Sequence, residues 1–318
     1  MYNKFFGLQE SPFRLNPDPR YLFLTPGIQE ALASLAYGIR GRRGIILLTG
    51  EVGTGKTLLL NMVLDWLRQR NTATAFIFNT RLTPGELLAC LMADLGIPCE
   101  SHSKSEILMR LNRWLLARYG NGQTPVFIVD EAQGLSDEVL EEIRFLTNLE
   151  TSTEKLLQVV LSGQPELEER LRQPDLRQLC QRIAVRCKTN SLSLEETQGY
   201  IEQRLRIAGA SDERLFSPEA IESIYRYTKG IPRVINVLCE QALINCFADQ
   251  QKTVKADHVD GVAHEFELDL VTAPPRNGSA NLTLVRKMLR DLSTLLDRMR
   301  EPASLAVKPE KENYEPYS

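Results

Sequence analysis

The sequence predicts an α/β protein: a mostly parallel sheet covered by helices, followed by a smaller all-helical region. Three observations carry this. Five short apolar runs, at residues 44–49, 74–79, 125–130, 156–162 and 183–188, are mostly separated by stretches whose apolar residues recur at helical spacing. Runs such as IILLT and VFIVD are apolar without alternation, as strands covered on both faces are. After about Leu194 the strand signals stop and only helical patterns follow.

Residues 1–27 hold Phe5, Phe6, Phe13, Tyr21 and Phe23 among Pro12, Pro17, Pro19 and Pro26. The prolines forbid a long helix and the aromatics are too apolar for a free tail, so an irregular arm packed on the main domain is expected. A helix over 28–39 turns Leu32, Leu35, Ala36 and Ile39 to one face. The α/β core at 28–194 then alternates the five strands with helices at 56–70, 84–95, 104–119 and 137–149. Helices at 195–208, 218–228, 232–248 and 255–265 make a second domain at 195–267, with Ser217 before Pro218 as an N-cap. Residues 268–281 read as a linker, 282–300 as an amphipathic helix and 301–318 as a disordered, proline- and charge-rich tail.

Composition narrows the function. With 43% hydrophobic residues, a net charge of −3 and 318 residues, the chain can bury a large core and is not a general electrostatic binder of nucleic acid. Its N-terminus, MYNKFFGLQESPF, lacks the pattern of a signal peptide, and no apolar run approaches the ~18–20 residues of a membrane helix. A cytoplasmic protein without a direct membrane span is expected. Cys90, Cys99, Cys180, Cys187, Cys239 and Cys246 form no C-x-x-C pair and do not combine with His102, His258 or His264 at zinc spacing, so they are expected to be reduced and mostly buried.

The chemistry begins after the first strand. Gly50, Glu51, Val52, Gly53, Thr54, Gly55, Lys56 and Thr57, followed by Leu58, fit G-x-x-x-x-G-K-[ST] between a strand and a helix. Glycines let backbone N–H groups converge on phosphate oxygens at a helix N-terminus; Lys56 reaches the β- and γ-phosphates of ATP, and the Thr57 hydroxyl suits Mg2+. The strand at 125–130 runs into Asp130 and Glu131. Paired acids at a buried strand end are costly unless they face a cation or water, so Asp130 is placed to hold Mg2+ and Glu131 to polarise the attacking water. The strand at 156–162 also ends in polar residues, and Ser162 or Gln164 could sense the γ-phosphate or hold the water.

Two basic features remain. Over 168–188, Arg170, Arg172, Arg177, Arg182, Arg186 and Lys188 outnumber the acids. They read as an arginine finger offered to a neighbouring subunit, as an internally paired face, or as a contact to DNA phosphates. Arg233, in Gly230-Ile-Pro-Arg233, opens a helix, where the dipole disfavours a cation unless it serves a purpose such as reaching the nucleotide. The cluster Arg40, Arg42 and Arg43 reads as solvated.

Several of these segments together resemble a known family. Phe5-Phe-Gly-Leu, Ser11-Pro-Phe13, Pro17-Asp-Pro-Arg20, the loop at 48–57, Asp130-Glu-Ala-Gln133, Gly163-Gln-Pro-Glu-Leu167, Leu176-Arg-Gln-Leu179, Gln181-Arg-Ile183 and Gly230-Ile-Pro-Arg233 are similar to the AAA+ ATPases typified by general secretion pathway protein A. Relatives of that type include exopolysaccharide- and exosortase-associated ATPases and the TniB/TnsC transposition regulators. The resemblance spans about residues 1–267. It implies a P-loop NTPase core, a five-stranded parallel sheet in an α/β/α sandwich, with a C-terminal helical lid. It further implies Walker B acids at Asp130 and Glu131, sensor 1 at Ser162 or Gln164, and sensor 2 at Arg233. The finger falls at Arg182 with Arg177 as the alternative, and the arm near Phe13–Leu24 lies by the adenine pocket. The sequence departs from the family pattern at Gly134, where Asn is usual, and near Ile28, where His is usual. It also shows neither the membrane helix nor the peptidoglycan-binding domain of the family's namesake, so an envelope-spanning role is not carried over.

The function expected is therefore an ATPase that binds and hydrolyses Mg-ATP as a homo-oligomer. It would serve a secretion or exopolysaccharide-export assembly through a protein partner, which could hold it peripherally at the inner membrane. The alternative is a DNA-associated ATPase regulating transposition; a scaffold that barely hydrolyses ATP is disfavoured by the intact Asp130–Glu131 pair.

Overall fold

Successive residues of a strand face opposite ways, and in the central strands both ways are apolar. Ile45, Leu47, Phe127, Val129, Val159 and Leu161 enter one core, whereas Ile46, Leu48, Val126, Ile128 and Val160 enter another. This is why those runs carry no alternation in the sequence. The computed structural model describes residues 2–78, 80–98, 103–210 and 214–268. The readings placed on 269–281, 282–300 and 301–318 lie outside the described residues. The chain divides into two compact units, Met1–Val262 and Ala263–Ser318, and the sheet and every site residue lie in the first.

The strands are β1 (Ile45–Gly50), β2 (Thr74–Ile77), β3 (Val126–Val129), β4 (Gln158–Gly163) and β5 (Ile183–Thr189), all parallel, in the order β2-β3-β4-β1-β5. The predicted five-stranded parallel sheet is observed. β1 lies between β4 and β5, with Leu47 opposite Leu161 and Leu48 opposite Cys187. At the edge, β5 alternates exposed Ala184, Arg186 and Lys188 with inward Val185 and Cys187. The second predicted strand is too long: it ends at Ile77, and Phe78 is 75% exposed, because β2 is the other edge of the sheet.

In chain order the helices are α1 (Tyr2–Phe5), α2 (Pro26–Arg40), α3 (Lys56–Arg68), α4 (Pro84–Asp94), α5 (Lys104–Gly120), α6 (Asp137–Leu146), α7 (Pro165–Leu171), α8 (Arg177–Gln181), α9 (Leu194–Ile207), α10 (Pro218–Thr228), α11 (Pro232–Ala248) and α12 (Ala256–Glu265). Leu35 of α2 and Leu59, Leu60 and Leu67 of α3 cover one face of the sheet. Leu87 of α4, Leu111 of α5, Ile143 of α6, Leu167 of α7 and Leu179 of α8 cover the other. Hydroxyl caps followed by proline start three helices: Thr25 accepts from Ile28 N–H, Thr83 from Glu86 N–H and Ser217 from Ala220 N–H. Each such cap contributes about 1 kcal/mol and fixes where the chain enters the helix. The five residues of α8 are too few for periodicity, and the sequence shows them only as part of the basic cluster.

The arm finds its partners on the helical region. Phe13 meets Phe216 edge-on, Phe23 meets Tyr200, and Phe5 meets Phe247. The Tyr2 hydroxyl donates to Glu240 Oε1 at 2.6 Å, and Gln9 N–H to the Ala208 carbonyl at 2.8 Å. Arg204 is the keystone. It is 6% exposed, yet donates to the carbonyls of Pro12 (2.6 Å) and Arg14 (3.3 Å) and to the Tyr200 hydroxyl (3.0 Å), and lies 4.5 Å from the Tyr21 ring centroid. A buried guanidinium is tolerated there because carbonyl dipoles and aromatic faces replace its water. The arm was expected on the main domain; there Leu22 packs against the α2–α3 core, the turn at Pro19–Tyr21 lies against α3, and Thr25 caps α2.

Among the described cysteines, Cys187, Cys239 and Cys246 are buried, and burial pushes the Cys187 thiol up to about 12 and the Cys246 thiol up to about 11. Cys90 is exposed and Cys180 half-buried. No described helix is long and apolar enough to cross a membrane.

Candidate nucleotide site

Because the strands are parallel, the ends of β1, β3 and β4 open on one edge, and the polar residues that follow them converge there. The loop after β1 turns through Gly53 (φ 85°) and Gly55 (φ 97°), left-handed conformations that glycine adopts without strain, before α3 begins at Lys56. Gly50 lies so close to β5 that a Cβ there would sit 2.0 Å from Thr189 Oγ1. Thr54 Oγ1 is 2.7 Å from Thr189 Oγ1 and also bonds the Glu51 carbonyl at 2.8 Å, fastening the loop to the edge strand. Lys56, Thr57 and Leu58 form the first turn of α3, where backbone N–H groups lack intrahelical partners. Glu51 and Val52 stand exposed at the loop's tip.

Lys56 is 5% exposed, and its ammonium donates to the carbonyls of Gly50 (2.7 Å) and Glu51 (2.9 Å). Burial lowers its pKa, opposed by the carboxylates of Glu131, Asp130, Glu51 and Glu166. Asp130, at the end of β3, accepts from Thr57 Oγ1 on Oδ2 (2.8 Å), and from Ser162 Oγ (2.8 Å) and the Glu131 N–H (3.0 Å) on Oδ1. One carboxylate thus joins the ends of β3 and β4 to the first turn of α3. Glu131 adopts φ 55°, ψ 34°, a left-handed backbone that costs a non-glycine residue on the order of 1 kcal/mol. Its Oε2 accepts from Gln164 Nε2 (3.2 Å) and from Gln133 Nε2 (2.5 Å). Lys56, Thr57, Asp130, Glu131, Ser162 and Gln164, far apart in sequence, therefore form one constellation.

Arg233, in the first turn of α11, comes to the same edge: its N–H donates to the Gly53 carbonyl at 3.2 Å, and a Cβ on Gly53 would sit 2.7 Å from Arg233 Cβ. The helical region thus rests directly on the loop. Arg182 is elsewhere. It caps α8 just before Ile183, which pairs with Ile45 at the opposite edge of the sheet. Its guanidinium donates within its own chain to Thr147 Oγ1 (2.8 Å) and Asn148 Oδ1 (2.5 Å). Most of the basic cluster is engaged internally as well. Arg170 is held by Asp137 and by the Gln133 and Leu135 carbonyls, and Arg172 and Lys188 by Glu168. Arg177 is exposed, with no hydrogen bond or ion pair to another described side chain. In the cluster at 40–43, Arg40 and Arg43 are exposed as expected, whereas Arg42 is half-buried, pairs with Glu154 at 2.6 Å and stacks on Tyr119.

The family comparison agrees with this geometry: residues 39–171 match the AAA domain family. That stretch is an AAA domain. The chain's fold is shared with ORC2 of Aeropyrum pernix, solved with ADPNP and ADP (TM-score 0.60, 18% identity, 81% of this chain and 71% of that one), and with Cdc6p of Pyrobaculum aerophilum (TM-score 0.58, 16% identity, 86% and 74%). At that identity the likeness concerns fold alone. In sequence, the chain is 44% identical over 266 residues to general secretion pathway protein A of Aeromonas hydrophila, over 83% of this chain and 48% of that protein. The chain thus spans about half the length of that relative.

Sequence reasoning passed over Gln133 and Gly163. Gln133 appeared only as the last letter of a motif, and nothing in the sequence says that its amide turns back on Glu131. The departure at Gly134 has a local setting: a Cβ there would lie 2.3 Å from Thr80 Oγ1, so Thr80 occupies the room a larger side chain would need.

Proposed function

We propose that this AAA ATPase binds Mg-ATP at the edge formed by β1, β3 and β4 and hydrolyses it as a homo-oligomer. The work it drives or regulates is the assembly of a secretion or exopolysaccharide-export system through a protein partner, from the cytoplasmic side. The observation that carries the chemical part is the convergence of Lys56, Thr57, Asp130 and Glu131 at one strand edge. In this reading the N–H groups from Gly50 to Leu58 and the Lys56 ammonium hold the phosphates, and Arg233 reaches them from α11. Glu131 orients and polarises the attacking water, while Ser162 fixes Asp130 and Gln164 fixes Glu131. Thr57 Oγ1 and the Asp130 carboxylate, 2.8 Å apart, are hard oxygen donors of the kind Mg2+ takes beside phosphate oxygens. The ion would supply charge neutralisation on those oxygens.

The role in assembly rests on the relationship to general secretion pathway protein A. The DNA-associated alternative is weakened, because its motivating cluster is largely spent on Glu168, Asp137, Thr147 and Asn148. The same pairings bear on the finger. Arg182 is engaged at home, whereas Arg177 at the start of α8 is exposed and unpaired, so Arg177 is the better-placed group to complete a neighbouring site.

A site completed by a neighbour predicts that specific activity rises with protein concentration and that Arg177→Ala lowers it. Phosphate release measured from nanomolar to micromolar chain, with and without duplex DNA, checks this. Activity per chain that stays flat across the monomer–oligomer range would sink the shared site, and strong stimulation by DNA would favour the alternative.

A further inference from the structure

We infer that Gln133 is a positioning residue for hydrolysis: its side-chain amide holds the Glu131 carboxylate and locks it to the end of β4. The inference rests on the reading of Glu131 as the group that activates water.

The geometry fixes the orientation of the amide. The Gln164 backbone N–H can only donate, and it points at the Gln133 side chain at 3.1 Å, so the atom facing it is Oε1. Nε2 must then face the other way, where it meets Glu131 Oε2 at 2.5 Å. The Gln164 side chain donates to the same oxygen at 3.2 Å. Both donors thus fall on Oε2, and the carboxylate turns in one orientation with Oε1 left for chemistry. Ionised acceptors make the strongest hydrogen bonds of this kind, so the clamp restrains a side chain that is otherwise exposed.

The turn that presents Gln133 is itself fixed. Residues Ala132–Gly134 form one 3-10 turn, and the Gln133 carbonyl accepts from Arg170 Nη1 at 2.8 Å while Arg170 pairs with Asp137. Gly163 keeps the path open, because a Cβ there would sit 2.9 Å from Gln133 Oε1. Gln133 therefore ties the residue that follows Asp130 to the residue that follows Gly163. Any shift of Gln164 is transmitted to Glu131 through two hydrogen bonds.

The test uses the full chain and Mg-ATP, with Glu131→Gln as the reference for the underlying reading. Gln133→Met, close in shape but without the amide, is expected to lower kcat roughly 10- to 100-fold, the factor that losing one hydrogen bond to a charged group is worth. The Kd for ATP should stay within about twofold, as expected when an interaction acts in the transition state only. Gln133→Asn keeps the amide but falls one methylene short and should lose a similar factor. In the Glu131→Gln background, adding Gln133→Met should cost nothing further, because the group it positions is already gone. Wild-type kcat in either folded Gln133 variant overturns the inference, as does a Kd that weakens in step with kcat or a further loss in the double variant. Undiminished turnover by Glu131→Gln alone would instead overturn the reading of Glu131.

Discussion

Glu131→Gln should slow ATP turnover by on the order of 10²- to 10⁴-fold, the usual contribution of a positioned general base, while ATP still binds. The substitution is close to isosteric, and the new amide's own oxygen can still accept from Gln133 and Gln164, so the local fold should survive. What disappears is the negative charge beside the reacting water. In the proposed site the ATP contacts lie on other residues, around Lys56 and the first turn of α3, which is why affinity should change little. Phosphate release and equilibrium binding, measured on the same preparation, check both halves. Equal turnover in variant and wild type would remove Glu131 from the chemistry; loss of binding with turnover would show that the substitution disturbs the loop instead. The left-handed backbone of Glu131, φ 55°, points the same way, since strain at a non-glycine residue persists only where the surroundings impose it.

Gly230→Ala should be the most damaging single change where the helical region meets the β1 loop. Gly230 has φ 74°, and a Cβ there would lie 1.9 Å from the Leu192 carbonyl oxygen, a backbone atom with no side-chain freedom to yield. Gly230 O also accepts from Leu192 N–H at 2.8 Å, so the clash falls on a pair already joined. Left-handed strain of roughly 1 kcal/mol and overpacking of about 1–3 kcal/mol together predict a melting temperature lower by on the order of 10 °C for a domain of this size. Affinity for ATP should fall too, because Arg233, three residues on, bonds Gly53 in the phosphate loop. Calorimetry with and without ATP measures both effects. A variant that melts with the wild type would mean that this junction is loose in solution.

Much of this was legible in the sequence, for reasons tied to particular residues. The loop from Gly50 to Thr57 is legible because its chemistry requires fixed residue types at fixed spacing. Asp130 and Glu131 are legible because acids at the end of an apolar strand are costly without a purpose. The double-sided burial of β1, β3 and β4 shows as unbroken apolar runs. Edges and short elements are less legible: β2 stops at Ile77 because it has one neighbour, and α8 is too brief to have a period. Side-chain partners across the fold were not legible at all. Nothing in the sequence tells that Arg42 finds Glu154, that Arg204 anchors the arm through the Pro12 carbonyl, or that Gln133 turns toward Glu131. Such pairings depend on the packing of distant segments, which local pattern does not encode.

The central claim, that this protein binds and cleaves ATP at the loop after β1, is tested most directly by steady-state ATP turnover of the wild-type chain beside Lys56→Ala. The site predicts measurable hydrolysis by the wild type and none above background by the variant, whose missing ammonium is the one cation that the loop itself encloses. Comparable turnover in the two proteins would place the chemistry elsewhere and contradict the account.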